Sequence, residues 1–433
     1  MAAVALVCVS THAVGQVIPS SDRPGREREQ FAQPPSPRAQ PGGAAISLPS
    51  TVAPPGAEKV RLLVRDIRIV GATVYPAADL APLTRDIVGQ TVSLEAIYEV
   101  ARRITAKYGS DGYVLSRAVV PPQELDPRGA VVRIEVIEGY VDRVEWPEKL
   151  VRYRDFFTSY AARITAERPA NIRTIERYLL LAGDLPGLRI STSLRPSKVN
   201  VRASTLVVEV AERPIDASIR ADNRGTASRG PNQMQTSAAL NNILAAHEAF
   251  TVAYAGVSPV NELQYLQGVY RQVLTSEGLT AFVNGSYAWG RPGTPTLDLL
   301  EYATRTTYGE VGLSYPVFRA RERNLTLSGL AFLSDSSSDV FEQPFNRDRL
   351  RGARLKVDGD YADFLQAVNL FNVTLSKGIE GLGSTLNDNP FASRASGRVD
   401  FTKLEAYVSR MQPLAANFSL LLRAYGQYAL NPL

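Results

Sequence analysis

The chain has 433 residues, of which 45% are hydrophobic and 21% are charged, a balance typical of folded proteins. Its 48 basic and 43 acidic residues leave a formal charge of only +5, without a basic block interleaved with aromatics, which argues against nucleic-acid binding. One cysteine, Cys8, and two histidines, His12 and His247, exclude a disulfide framework and a zinc cluster. A Ser-His-Asp triad would need His247, which lies in a polar turn. We therefore expect no enzyme activity and no catalytic, cofactor-binding or metal-binding residues.

The first residues resemble the end of a secretion signal. Met1–Val9 is apolar, and small residues at 13 and 15 suit signal peptidase, although no basic residue precedes them. We predict that 1–15 is a signal-peptide remnant whose start lies upstream; a disordered apolar terminus is the alternative. Residues 16–59 are rich in Pro, Gly, Ser and Gln and are predicted to be a flexible linker, with a short helix only within Asp22–Phe31.

Residues 60–139 have the pattern of a compact βααββ unit. Segments rich in strand-forming residues alternate with segments whose apolar residues recur at helical spacing, and Ser93 is suited to cap the second helix. Val132, Ile134 and Val136 alternate with charged residues, so the last strand is expected to bury one face. The predicted elements are a strand at Val64–Val70, helices at Pro76–Val88 and Leu94–Tyr108, and strands at Tyr113–Val120 and Ala130–Ile137.

A second βααββ unit follows at 140–213. Asn171 is suited to cap its second helix, which is expected to end at Gly183. The predicted elements are a strand at Tyr140–Trp146, a helix at Arg152–Ala166, a helix from Asn171 to Gly183, and strands at Leu188–Leu194 and Thr205–Ala211.

Residues 214–433 lack a helical period and instead show long strands separated by turn signals. Short connections alternate with long ones, which is typical of an outer-membrane barrel; a water-soluble β-sandwich, with strands of about five or six residues, is the alternative. The eleven predicted strands lie near 214–222, 233–241, 247–256, 263–272, 278–290, 301–316, 324–337, 347–360, 365–378, 398–411 and 417–430.

Several short motifs occur in an order that is similar to a known family. They are Val64–Val74, Gly112-Tyr113, Pro122-Gln123, Ile137-Glu138-Gly139, Leu185-Pro186-Gly187, Val207–Val210 and Asp222–Gly225. Together they resemble the two-partner-secretion outer-membrane transporters of the ShlB/FhaC/HecB type. The resemblance implies an α+β then all-β fold, with two tandem βααββ POTRA domains at 60–139 and 140–213 and an antiparallel transmembrane β-barrel from 214 to 433.

The resemblance also implies a function. Such a protein is a pore in the bacterial outer membrane that exports a large partner exoprotein of haemolysin or adhesin type, which its periplasmic POTRA domains capture. Its expected partners are the exoprotein, outer-membrane lipid and, during biogenesis, the barrel-assembly machinery. Because barrels of this family have about sixteen strands and eleven are predicted here, we expect the chain to be truncated at its C-terminus.

A POTRA sheet edge offers backbone groups to an extended substrate. We place this contact in the first unit, at Tyr113, Val114, Leu115, Ser116, Arg117, Ala118 and Val119, or in the second unit, at Leu188–Leu194; the alternative is that both strands are internal to their sheets. Two other functions stay open. One is an outer-membrane protein assembly factor, and the other is a periplasmic binding module in which only 60–213 folds.

Overall fold

The computed structural model describes residues 24–25, 27–31, 36–41, 52–148, 150–394, 396–415 and 417–432. The predicted signal remnant, with Cys8 and His12, and much of the predicted linker lie outside the described residues. Three sheets make up the described fold. None of the helices formed by these residues is long and apolar enough to cross a membrane.

The first small sheet consists of β1 (Arg61–Val70), β2 (Thr91–Ser93), β3 (Arg117–Val119) and β4 (Ala130–Ile137) in the order β2-β1-β4-β3, and α3 (Leu94–Ser110) packs on one face of it. Ser93 accepts a hydrogen bond from the Ala96 amide and so caps α3, as predicted. The predicted helix at Pro76–Val88 is wrong in length, because only one helical turn and a 3-10 turn form before the chain enters the unpredicted strand β2. That one helical turn is α2 (Ala77–Leu80).

The second small sheet consists of β5 (Tyr140–Glu145), β6 (Leu188–Pro196) and β7 (Ala203–Glu212) in the order β5-β7-β6, and the helices α4 (Arg154–Ala166) and α5 (Ile172–Gly183) pack on it. Asn171 caps the second helix by accepting from the Arg173 amide, as predicted. A 3-10 turn at Val151–Tyr153 precedes α4.

The third sheet contains eleven antiparallel strands in sequential order, at the predicted positions. Their lengths, between 8 and 20 residues, and their single sheet rule out the β-sandwich, and a fold confined to 60–213 is equally ruled out. The strands are β8 (Ile215–Asp222), β9 (Asn232–Asn241), β10 (Glu248–Ser258), β11 (Gln264–Val273), β12 (Thr280–Gly290), β13 (Ala303–Arg319), β14 (Arg323–Val340), β15 (Gln343–Ala362), β16 (Val368–Gly378), β17 (Thr402–Pro413) and β18 (Ser419–Ala429), with helix α6 (Pro295–Leu299) between β12 and β13.

The two faces of this large sheet differ in chemistry. We call one the apolar face; it carries exposed side chains such as Val283, Val311 and Leu313. The other, the polar face, carries residues such as Asn284 and Glu310, which lie opposite each other and are hydrogen-bonded at 3.1 Å. The alternation along β12, with Val283 on one face and Asn284 on the other, therefore reflects two different environments.

The predicted strand at Tyr113–Val120 is wrong over its first half. Residues 113–116 form a turn that joins the two small units: Leu115 is buried in the core of the second unit, and the Ser116 hydroxyl accepts from the Gly139 amide at 3.2 Å. The Gly112 carbonyl in turn accepts from the Ile172 amide at the start of α5. The tyrosine and aliphatics that suggested a strand are required here for packing between units.

The backbone at Gly139 approaches the turn at 113–116 very closely, since a Cβ there would lie 2.1 Å from the Leu115 carbonyl oxygen. We expect Gly139→Ala to force the backbones apart and to destabilise the first two units by about 2 to 3 kcal/mol, a typical overpacking cost. Urea titration of the detergent-solubilised chain, read by pulse proteolysis, measures the change. Gly129→Ala is the matched control because its Cβ meets no atom within 4 Å; equal stability of both variants would contradict the assignment.

Candidate functional site

The first predicted contact segment, Tyr113–Val119, forms an edge strand only at its end. β3 pairs with β4 through three residues and has no second strand neighbour. Its free side is covered by α3, where the Thr105 hydroxyl accepts from the Ala118 amide at 2.9 Å. Since neighbouring residues of a strand direct their amides to opposite sides, the outward amide of this short strand is already bonded.

A side chain also covers the rest of that edge. The Gln123 amide oxygen accepts from the Arg133 backbone N–H at 2.8 Å, and its nitrogen donates to the Arg133 carbonyl at 2.8 Å. Gln123 thus takes the place of a strand beside β4. The Pro-Gln turn found in the sequence protects the sheet edge from pairing with another chain.

Glu138, from the Ile-Glu-Gly motif, fixes the turn after β1. Its carboxylate accepts from the amides of Thr73 and Val74, at 2.7 and 3.0 Å, and from the Tyr108 hydroxyl at 2.8 Å. Burial alone raises the pKa of this carboxyl, but the bonds from Thr73, Val74 and Tyr108 outweigh it and hold the pKa of Glu138 below its ordinary value. The motif therefore has a structural role.

The second predicted segment, Leu188–Leu194, forms most of β6, an edge strand of nine residues paired only with β7. The Arg213 amide donates to the Gly187 carbonyl, and the Ser197 amide donates to the Ala203 carbonyl, so odd-numbered residues of β6 bond to β7. The amides of Ile190, Thr192 and Leu194 consequently point outward. Within the described part of the chain, no hydrogen-bond partner covers that outer side.

A groove of about 820 Å³ runs beside this open edge. Its floor is apolar, with Leu179 of α5 and Ile190 and Leu194 of β6, and its rim includes Arg189 and Arg321. Open backbone groups beside an apolar floor are what an added strand with alternating apolar side chains requires. Of the two predicted segments, β6 has the geometry suited to strand addition.

Part of the predicted linker instead contacts the polar face of the large sheet. Helix α1 (Glu27–Phe31) lies there, within the range predicted for a short helix. Glu27 is 3% exposed and lies 3.6 Å from the buried Arg229, which precedes β9. Arg28 lies 4.1 Å from the centre of the Tyr308 ring, and Phe31 packs on Tyr265 with ring centres 5.4 Å apart.

Residues 36–41 are held at the other end of the sheet. The buried Asp360 carboxylate accepts from the amides of Arg38 and Ala39 and from the Asn324 side chain. Asn324 also accepts from Arg319 at 3.0 Å. The prediction of a flexible linker is wrong for this stretch, because a buried carboxylate with specific donors fixes its backbone.

Arg319 extends this network to the second small unit. Its guanidinium donates two bonds to Asp184, after α5, at 2.7 and 2.9 Å, and Arg38 lies 3.6 Å from the same carboxylate. Asp184, Arg319, Asn324, Asp360 and Arg38 thus form a closed polar ring that joins the second unit, the large sheet and the N-terminal segment.

Two further turns of the large sheet dock against the second unit. Glu277, between β11 and β12, accepts from Tyr178 at 2.9 Å and pairs with Arg177 at 3.3 Å. His247, between β9 and β10, packs edge-on against Phe156 with ring centres 4.0 Å apart, and burial lowers its pKa. His247, considered above only as a triad member, is therefore part of an aromatic interface.

Sequence analysis missed Asp360, Asp184 and Glu277. Asp184 and Glu277 are single acidic residues in turns, and their partners Arg319 and Tyr178 lie 135 and 99 residues away. Asp360 lies near the end of β15, and the Arg38 amide that it binds is 322 residues away. No local spacing in the sequence marks such contacts.

Comparison with known proteins agrees with this arrangement. The family described as "POTRA domain, ShlB-type" matches residues 62–139. The family described as "Haemolysin secretion/activation protein ShlB/FhaC/HecB" matches residues 203–433, more than half of the chain. The chain belongs to the ShlB/FhaC/HecB family.

Curated relatives include the outer membrane transporter CdiB of Dickeya dadantii, which is 22% identical over 397 residues, or 85% of this chain and 65% of that protein. The heme/hemopexin transporter protein HuxB of Haemophilus influenzae is 22% identical over 170 residues, or 38% of this chain and 29% of that protein. The chain spans slightly less than two thirds of the length of the CdiB relatives that it matches.

Solved structures of CdiB are similar in fold. CdiB from Escherichia coli matches with a TM-score of 0.64 at 19% identity, covering 90% of this chain and 72% of that one. CdiB from Acinetobacter baumannii matches with a TM-score of 0.51 at 14% identity, covering 94% and 75%. The large sheet of this ShlB/FhaC/HecB member is the membrane part of the outer-membrane transporter fold, and the two small units are on its periplasmic side.

The Glu138 cluster predicts an acid sensitivity. Because the pKa of Glu138 is lower in the folded state than its ordinary value of 4.5, its stabilisation is complete above that value and is lost as pH falls through the folded pKa. We expect the free energy of unfolding of the first unit to fall as pH drops below 4.5, and to fall less in Glu138→Gln. Urea titration with pulse proteolysis tests this, and parallel pH curves would refute it.

The Asp360 contacts predict a local opening. Hydrogen bonds to a carboxylate contribute about 1.5 to 3 kcal/mol, so Asp360→Ala is expected to speed amide exchange at Arg38 and Ala39 by roughly 10- to 100-fold. Hydrogen-exchange mass spectrometry of the full chain measures it. Asp358→Ala, on the same face of β15 and bonded to Asn372, is the control; unchanged exchange in Asp360→Ala would show that the segment is held elsewhere.

Proposed function

We propose that this chain acts as an outer-membrane transporter that exports a partner exoprotein, and that the partner is captured as a strand added to β6. Support comes from the family membership, from the relatives named transporters, and above all from the unpaired edge of β6 beside its apolar groove. We further propose that the chain performs no covalent chemistry, and that it meets outer-membrane lipid and the barrel-assembly machinery during biogenesis.

Capture at Tyr113–Val119 remains the alternative placement. It needs displacement of the Thr105 hydroxyl from the Ala118 amide, whereas strand addition at β6 breaks no bond within the described residues. An exported polypeptide emerging in extended form has its own backbone groups unpaired, so pairing with β6 stabilises it without folding it.

The assembly-factor alternative predicts a different substrate. An assembly factor would act on the strands of other membrane sheets, and its loss would lower the amount of several outer-membrane proteins. If this chain instead exports one partner, its loss is expected to leave only that partner accumulating in the periplasm.

Proline at position 192 separates the two placements. Thr192 is exposed and its amide points outward, so Thr192→Pro removes a donor from the open edge without removing a bond to β7. We expect secretion of the co-expressed partner into the medium to fall by about tenfold, because the variant loses one backbone hydrogen bond to the partner and its proline ring obstructs the approach of an added strand. Thr192→Ala is the control.

Wild-type secretion by Thr192→Pro, with the variant folded in the membrane at normal amounts, would rule out β6. The same assay on Thr105→Val, which removes the hydroxyl that accepts from the Ala118 amide, examines the first unit. Increased secretion there would favour Tyr113–Val119.

A further inference from the structure

A cavity of about 750 Å³ lies where both small units meet the periplasmic end of the large sheet. Gly109 and Gly112, at the end of α3, line one side, and Arg173, near the start of α5, lines another. The large sheet contributes Phe318, Arg323 and Tyr361, among others. The proposed function does not use this cavity, which is separate from the edge of β6.

The sheet side of the cavity is continuous with the apolar face. Val311 and Leu313 lie on that face, and the register shift between Pro316 and Phe318 keeps Phe318 exposed on it. Phe318 is 50% exposed, and Tyr361, which pairs with Arg323, is 45% exposed. Aromatic rings at the end of an apolar face mark the level of lipid headgroups.

The cavity carries more arginines than carboxylates. Arg177 and Arg319 are occupied by Glu277 and Asp184, and the lining carboxylates are those of Glu176 and Glu322. Among the residues that the structure describes, neither Arg173 nor Arg323 has a carboxylate within ion-pair distance. The Tyr75 hydrogen bond, with the charges of Lys107 and Arg173, holds the pKa of the partly exposed Asp111 below its ordinary value.

Two further features favour an anion here. The guanidinium of Arg323 lies 5.7 Å from the centre of the Phe318 ring, which places its charge at the edge of the apolar surface. Arg173 is the second residue of α5, a helix of 12 residues whose N-terminal dipole adds positive potential.

We propose that this cavity binds the phosphate of a glycerophospholipid from the inner leaflet of the outer membrane. Arg173 and Arg323 hold the phosphate, and the acyl chains leave along Phe318 and Tyr361 onto the apolar face. An acidic segment of a protein would satisfy the arginines but would leave the two aromatic rings uncovered. The lipid therefore links the orientation of both small units to the membrane surface.

The test is native mass spectrometry of the full chain in detergent, titrated with phosphatidylglycerol. We expect one retained lipid in the wild type. Each arginine near a membrane surface contributes about fivefold to binding, so Arg173→Gln with Arg323→Gln is expected to weaken retention by roughly 25-fold. Arg224→Gln with Arg291→Gln, at the opposite end of the sheet, should retain lipid normally.

Two competitors distinguish the sources of the anion. Inorganic phosphate at millimolar concentration and an acidic decapeptide should each leave the lipid in place, and Phe318→Ser with Tyr361→Ser should release it. Equal lipid retention by the wild type and the double arginine variant, at matched trypsin resistance, would overturn the proposal. Displacement by phosphate or by the peptide would overturn it as well, because neither uses the aromatic rings.

Discussion

Strands that face hydrocarbon must pair all their backbone groups with each other, since lipid offers no hydrogen-bond partner. The inner strands β9 to β17 meet this requirement by long sequential pairing, whereas β8 and β18 each pair on one side only among the described residues, and the side chains of the sheet alternate between lipid and interior. That alternation creates the polar face. Charges such as Glu27 and Arg229 are buried there because each offsets the cost of desolvating the other.

The second small unit is coupled to this sheet by ion pairs as well as by the aromatic contact of His247 with Phe156. Arg319 bonds to Asp184 on one side and to Asn324 on the other, and Asn324 shares Asp360 with the N-terminal segment. Removing one member of such a ring leaves the next without a partner. Movement of residues 36–41 and reorientation of the second unit are therefore energetically linked in this chain.

Patterns that depend on local periodicity could be predicted from the sequence. The eleven strands, the caps at Ser93 and Asn171 and the buried face of β4 all follow from side-chain alternation or from a single side-chain contact. The turn at 113–116 could not, because the residues that make a strand apolar also make a buried turn apolar. What decides between them is Leu115 entering the core of the other unit, which is a tertiary contact.

The two small units share a topology yet differ at the edge that a partner would use. In the first unit, α3 and Gln123 cover the edge, and the covering groups are a hydroxyl and an amide that imitate a neighbouring strand. In the second unit, β6 is three times as long as β3 and lacks such cover among the described residues. An exposed edge risks aggregation and is retained where pairing has a use. Of these two equivalent strands, only β6 leaves outward amides without a hydrogen-bond partner among the described residues, and for this reason the proposed capture of an extended partner is placed at β6 rather than at β3.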